Sequence, residues 1–179
     1  RIVAASQSFP LLAVPLFILV GQLMNGSGIT PRMLTLAKTL AGWMRGGLAQ
    51  TSLLLSALMG GISGSAVADA AMQSRVLGEP MIKEGYSRGF TGALLSIGGL
   101  ITATIPPSLG LILYGFLGEV SIGRLVIAGI VPGVLLTIAL MIATGWIAHR
   151  RDYRPISNRR PTTREVIDAV RESFWAILF

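Results

Sequence analysis

The chain has 179 residues, 52% of them hydrophobic and only 13% charged, with a mean hydropathy of +0.69. A soluble domain carries about 25% charged residues, so the composition defines an integral membrane protein. The net charge of +7 needs no nucleic acid, because cytoplasmic loops of membrane proteins are rich in Lys and Arg, and the absence of cysteine excludes disulfide and thiolate chemistry.

Residues 9–24 are strongly apolar, with Pro10 and Pro15 near the start, Ser8 placed to cap them and Asn25-Gly26-Ser27-Gly28 to stop them. Segment 1–29 is expected to span the membrane, where prolines are tolerated if neighbours satisfy the freed carbonyls. Thr30 and Pro31 then suit the N-cap and first position of a different helix. Met33, Leu34, Ala37, Leu40, Ala41 and Met44 fall on one face; Arg32, Thr35, Lys38, Thr39 and Arg45 fall on the other. Segment 30–46 is too short and too charged to span, and reads as an amphipathic arm in the interface.

The next stretch contains Gly60-Gly61-Ile62-Ser63-Gly64-Ser65-Ala66-Val67-Ala68-Asp69, a small, polar break between two apolar arms. Neither arm reaches the roughly 20 residues needed to cross the hydrocarbon. The pattern predicts a re-entrant helical hairpin over 48–77 whose tip lies inside the membrane. Non-helical backbone survives at that depth only beside protein or a water-filled cavity. Arg75, Glu79, Lys83, Glu84 and Arg88 mark the return to water.

Residues 89–117 form an apolar run interrupted by Thr102-Ala103-Thr104-Ile105-Pro106-Pro107-Ser108. Adjacent prolines remove two donors and clash with the preceding turn, which predicts a discontinuous helix. Hairpin and broken helix together make a transport region, 47–124. Segment 125–149 is a further span with a bend expected at Pro132-Gly133. Segment 150–173 is a basic loop carrying a short amphipathic helix from about Thr163, whose Arg164, Asp168 and Glu172 make a solvated face. Segment 174–179 starts another membrane helix. A chain that opens at Arg1 and stops in that apolar run is expected to be an internal piece of a longer protein.

The distribution of charge tests this topology. If the hairpin enters and leaves on the inner side, 13 of the 15 basic residues lie inside, and only Arg1 and Arg124 outside. Treating the arm as a true span would break that bias.

Two broken elements then meet in one membrane region. Half-helix ends offer N–H groups that suit a carboxylate and carbonyls that suit Na⁺. The hydroxyls of Ser63, Ser65, Thr102, Thr104 and Ser108 add neutral oxygen ligands. Small residues also serve close helix packing, which is the plainer reading of the same glycines and serines. Asp69 is the one acid within an apolar arm; it is a candidate for function, or else a cap and packing group near the tip. His149 reads as an interfacial residue at a helix end.

At these motifs the sequence resembles the DctM-type large membrane subunit of tripartite ATP-independent periplasmic (TRAP) transporters. The likeness runs through Phe9-Pro10-Leu11-Leu12-Ala13-Val14-Pro15-Leu16-Phe17-Ile18, Gly61 to Ala70, Ile105-Pro106-Pro107-Ser108, Val120-Ser121-Ile122-Gly123 and Ala128-Gly129-Ile130-Val131-Pro132-Gly133. The resemblance implies an all-α membrane fold, one half of an inverted-repeat elevator. It implies a sodium-driven importer of small organic acids, of C4-dicarboxylate or sialic acid type, in the bacterial inner membrane. A small membrane subunit and a periplasmic binding protein would be its partners, with sodium as coupling ion and no other cofactor. Carried over, Ser63, Gly64 and Ser65 sit at the hairpin tip, and Pro106, Pro107 and Ser108 at the break. Sodium would fall to Ser63, Ser65, Thr104 and Ser108. The chain departs from the family pattern at Leu100 and Thr102, leaving Thr102 or Thr104 to supply the hydroxyl of the broken helix.

Two rivals are weighed beside it. A channel or carrier that works without a binding protein would share the same hydrated tip. Gly61-Ile62-Ser63-Gly64 also matches the Gly-x-Ser-Gly pattern of rhomboid proteases, whose serine needs a histidine base; His149 is the only histidine. The transporter reading makes the chain no enzyme, and there is no Walker A loop to hydrolyse ATP.

Overall fold

A computed structural model describes residues 28–157 and 159–178, with Pro15, Leu16, Leu19 and Leu23; for 175–178 it describes the backbone alone. Apart from those four positions, the expected span over 9–24, its Ser8 cap and its Asn25-Gly26-Ser27 stop lie outside the described residues. Among the described residues the protein is all-helical, without strands. The helices are α1 (Ile29–Ala41), α2 (Gly47–Ser63), α3 (Ala66–Lys83), α4 (Arg88–Thr104), α5 (Leu109–Leu117), α6 (Ile122–Arg150) and α7 (Thr163–Leu178).

Helix α1 opens two residues before the expected start, with Gly28 and not Thr30 at the N-cap. Gly28, at φ 82°, turns the chain in the left-handed region that glycine reaches without cost, and no side chain caps the helix. Its buried face is Met33, Leu36, Ala37 and Ala41, so Leu36 takes the central place expected of Leu34 and Leu40. Helix α2 is the axis of the fold: α1, α3, α4 and α6 all pack on it, and it is buried around most of its circumference.

Ser65 begins α3, where its hydroxyl accepts the Ala68 N–H at 3.4 Å. The helix continues past residue 77 to Lys83, because its buried stripe Asp69, Gln73, Leu77, Met81 holds a four-residue spacing across the polar surface turns. An exposed Glu79–Lys83 pair at 2.9 Å covers the outer face. Gly78 lies within this helix with nothing within 4 Å of the position a Cβ would take. Gly78→Ala is expected to stabilise the protein by about 0.5–1 kcal/mol, through the lower backbone entropy of the unfolded chain. An unchanged or lowered unfolding midpoint in detergent would contradict this.

Ser87 caps α4 by accepting the Phe90 N–H. Helices α4 and α5 meet at a bend of 48°, with residues 105–108 between them. Gly98 and Gly99 let α4 lie close on its neighbours: a Cβ on Gly98 would stand 2.7 Å from Ser56 Oγ, and one on Gly99 2.9 Å from the Ala66 carbonyl oxygen. Such close seams supply the dispersion contacts that hold helices together when lipid removes the hydrophobic incentive.

Helix α6 is, among the described residues, the one single helix long and apolar enough to cross a membrane. It runs unbroken through Pro132, with Ile127, Val131, Leu135 and Ile142 each 61–71% exposed. A soluble core would hide those side chains; lipid would not. The loop after α6 turns back over the α1–α2 corner, where the Gly46 and Gly47 N–H groups donate to the Tyr153 and Arg154 carbonyls. Tyr153 stacks there on Tyr86, whose phenol burial pushes up to about 12.

The expected short helix and the apolar run after it form one helix, α7. Glu165 accepts the Thr162 N–H at 2.7 Å, half of a capping box, and that N–H holds its carboxyl below the usual range. Among the described helices, α7 touches α1 alone, and Ser173 donates to the Arg32 carbonyl across that seam.

Candidate functional site

The hairpin tip presses against the α4–α5 break. The Leu109 N–H donates to the Gly64 carbonyl at 3.3 Å. Gly64, at φ 55°, ends α2 in the left-handed conformation, and a Cβ there would stand 2.7 Å from the Pro107 carbonyl oxygen. Ser63 and Ser108 flank this contact. Both hydroxyls are buried, and neither has a hydrogen-bond partner among the described residues. Ser108 has the extended backbone of an N-cap but makes no capping bond. An unmet buried hydroxyl costs about 1–3 kcal/mol. Two beside one contact make this the place among the described residues where a bound group would satisfy two hydroxyls at once.

One turn into α3, Asp69 is 2% exposed. Its Oδ2 accepts from Ser56 Oγ at 2.8 Å, Thr102 Oγ1 at 2.8 Å and Gln73 Nε2 at 2.9 Å. The Gln73 amide also reaches Ser56 Oγ, and Ser52 donates to Gln73 Oε1 at 2.6 Å. Thr102 shares its proton with the Ser56 carbonyl at 3.1 Å. The cluster ties α2, α3 and α4 together through polar groups at the centre of the fold. Asp69 Oδ1 has no partner among the described residues.

The structure thus joins Asp69 to Thr102 directly, and Ser63 and Gly64 to the Pro107–Ser108 stretch. Ser65 spends a lone pair on its helix cap. Thr104 stands apart from Asp69, donating to the Leu100 carbonyl of its own helix at 2.7 Å. Pro106 lies against α6 near Gly129. Ser52, Ser56 and Gln73 were not singled out from the sequence. Their signal was present: Ser52/Ser56 and Asp69/Gln73 are each four residues apart, so each pair marks one polar stripe on an otherwise apolar arm.

The protease reading fails on distance. His149 ends α6 against Arg45, which precedes α2, whereas Ser63 closes the far end of that 17-residue helix. The separation is roughly 25 Å from the helical rise alone, beyond any hydrogen bond.

An all-helical body with an exposed helix of membrane length and a hydroxyl-rich interior is that of a helical membrane protein. The family is more specific: the model of the tripartite ATP-independent periplasmic transporter DctM component matches residues 1–179, and the chain belongs to that family. It is 40% identical over 178 residues to the sialic acid TRAP transporter permease protein SiaT of Haemophilus influenzae (strain 86-028NP), covering 99% of this chain and 29% of that protein. It is 38% identical over 171 residues to the sialic acid TRAP transporter large permease protein SiaM of Vibrio cholerae, covering 96% and 40% respectively. The C4-dicarboxylate TRAP transporter large permease protein DctM of Pseudomonas aeruginosa is 32% identical over 178 residues, covering 99% and 41%. The chain therefore spans well under half the length of these relatives.

Proposed function

We propose that the protein containing this chain is the large permease subunit of a sodium-coupled importer of small organic acids. Its place is the bacterial inner membrane, and its partners are a small membrane subunit and a periplasmic binding protein. The reading extends what the relatives' names say of them, sialic acid and C4-dicarboxylate transport, to this chain. The observation that carries it is the pair of buried hydroxyls, Ser63 and Ser108, on either side of the tip–break contact, neither with a partner among the described residues. Sodium favours such neutral oxygens. Thr104 donates its proton inward and keeps its lone pairs for a cation, as does Ser65 in part. Asp69 supplies an acidic group behind the tip.

On this reading 48–77 is a re-entrant hairpin, and 89–117 a broken helix. With the rest of 47–124 they move as an elevator, while 1–29 and 125–149 span, 30–46 lies in the interface and 150–173 faces the cytoplasm. The direct Asp69–Thr102 bond favours such joint motion, because it would have to break if hairpin and α4 moved separately.

Uptake of labelled organic acids into proteoliposomes tests the reading, using the full-length protein, its small subunit and its binding protein, with and without an inward sodium gradient. Uptake is expected to need sodium and the binding protein, and to fall about ten-fold in Ser65→Ala, as the loss of one ligand of about 1.4 kcal/mol implies. Uptake indifferent to both would favour a channel or a simple carrier.

A further inference from the structure

The end of the molecule opposite the hairpin tip carries a second feature. Where α2 begins and α6 ends, a groove of about 420 Å³ runs between them, lined by Met44, Arg45, Gln50, Ile138, Met141 and Ile142. Its walls are apolar except at two places. At the mouth, Arg45 is exposed, and its side-chain hydrogen bond among the described residues goes to the His149 ring. The ion pairs among the described residues, Glu79–Lys83 and Arg159–Glu165, lie elsewhere. Arg150 sits on the same helix end, 4.2 Å over the Trp146 ring. Asp152 borders an adjoining hollow with Arg45 and forms no ion pair among the described residues. In the wall, the wholly buried Gln50 donates from Nε2 to the Met141 carbonyl at 2.9 Å, while its Oε1 has no partner among the described residues.

We infer that this groove binds an anionic phospholipid, with the phosphate at Arg45 and an acyl chain along Ile138, Met141 and Ile142. The order of chemistry along the groove matches that of a lipid. Guanidinium groups and the interfacial rings Trp43 and Trp146 stand at the end of α6, where a membrane helix meets the headgroups. Ile142, 68% exposed, lies two turns deeper. Gln50 is about 7 Å along α2 from Arg45, at the depth of the glycerol esters. A zwitterionic lipid would bring its own cation to a mouth already holding the Arg45 guanidinium. The inference rests on membership of a membrane family and not on sodium coupling or substrate.

The test is native mass spectrometry of the full-length protein titrated with dioleoyl phosphatidylglycerol or dioleoyl phosphatidylcholine. One phosphatidylglycerol is expected to be retained in preference, about five-fold more weakly in Arg45→Gln, as removal of one interfacial cation predicts. Arg124→Gln, at the opposite end of α6, should leave retention unchanged. Ile142→Trp fills the groove from an exposed position that folding tolerates, and should weaken retention without touching charge. A photo-crosslinking residue at position 142 should label lipid in intact membranes. Equal retention of the two lipids, retention unaffected by both Arg45→Gln and Ile142→Trp, or crosslinks from 142 to polypeptide would each overturn the assignment. The last would mean that another segment or subunit covers the groove.

Discussion

Asp69→Asn is expected to leave the helices assembled and to abolish sodium-dependent uptake. The amide keeps one oxygen for the Ser56, Gln73 and Thr102 donors, so the cluster that joins α2, α3 and α4 persists. Its NH₂ group replaces Oδ1, the atom without a partner among the described residues. An amide nitrogen cannot ligate a cation. The substitution therefore separates the two roles open to this residue: the three hydrogen bonds stay, and the loss in stability should be about 1 kcal/mol, the low end of the cost of burying an NH₂ group without an acceptor. Asp69→Leu removes the acceptor altogether: it orphans the buried Ser56 hydroxyl and takes one of two partners from Gln73 and from Thr102, at a summed cost of about 3 kcal/mol or more. Thermal unfolding and uptake of both variants check this. If Asp69→Asn transports normally with intact sodium dependence, the carboxylate is only a structural tie.

Gly64→Ala is expected to be nearly as damaging, for a different reason. A non-glycine residue at φ 55° costs about 1–2 kcal/mol, and the new methyl would meet the Pro107 carbonyl oxygen at 2.7 Å. That oxygen belongs to backbone between two helices and has little room to retreat. The tip must lift from the break, which parts Ser63 from Ser108 and stretches the Leu109–Gly64 bond. Uptake should fall by more than about ten-fold, since small displacements of ligating groups carry large rate penalties. Gly61→Ala is the control. Its methyl would find Pro106 O at 3.8 Å, an ordinary contact, and it should transport like the parent. Equal damage from both would show that the tip tolerates no side chain anywhere, and that the Gly64 geometry is not special.

Much of this was legible in the sequence. Caps and breakers act over two or three residues, so the Gly/Ser break at 60–65 and the Pro106-Pro107 pair announced the ends of α2 and α4 without tertiary knowledge. The membrane class followed from composition, and the family from motifs in order. What stayed hidden depends on which helix faces which. Ser56 and Gln73 looked like isolated polar residues in apolar arms; only the seating of α4, with Gly98 against Ser56, turns them into partners of Asp69 and Thr102. The sequence marked Thr102 and Thr104 alike, yet they sit on different sides of α4 and only one meets the carboxylate. The length of α3 was missed because its outer face turns charged while its inner stripe stays buried.

The packing of α1 has a mechanical consequence. Among the described helices it touches only α2 and α7, and α7 touches only α1. A push applied at α7 reaches the hairpin by way of α1, and also through the loop that Tyr153, Arg154 and Ile156 fasten to Gly46, Gly47 and Gly42. The two routes act in parallel, so a disturbance that loosens the α1–α7 seam still leaves α7 tethered to the start of α2.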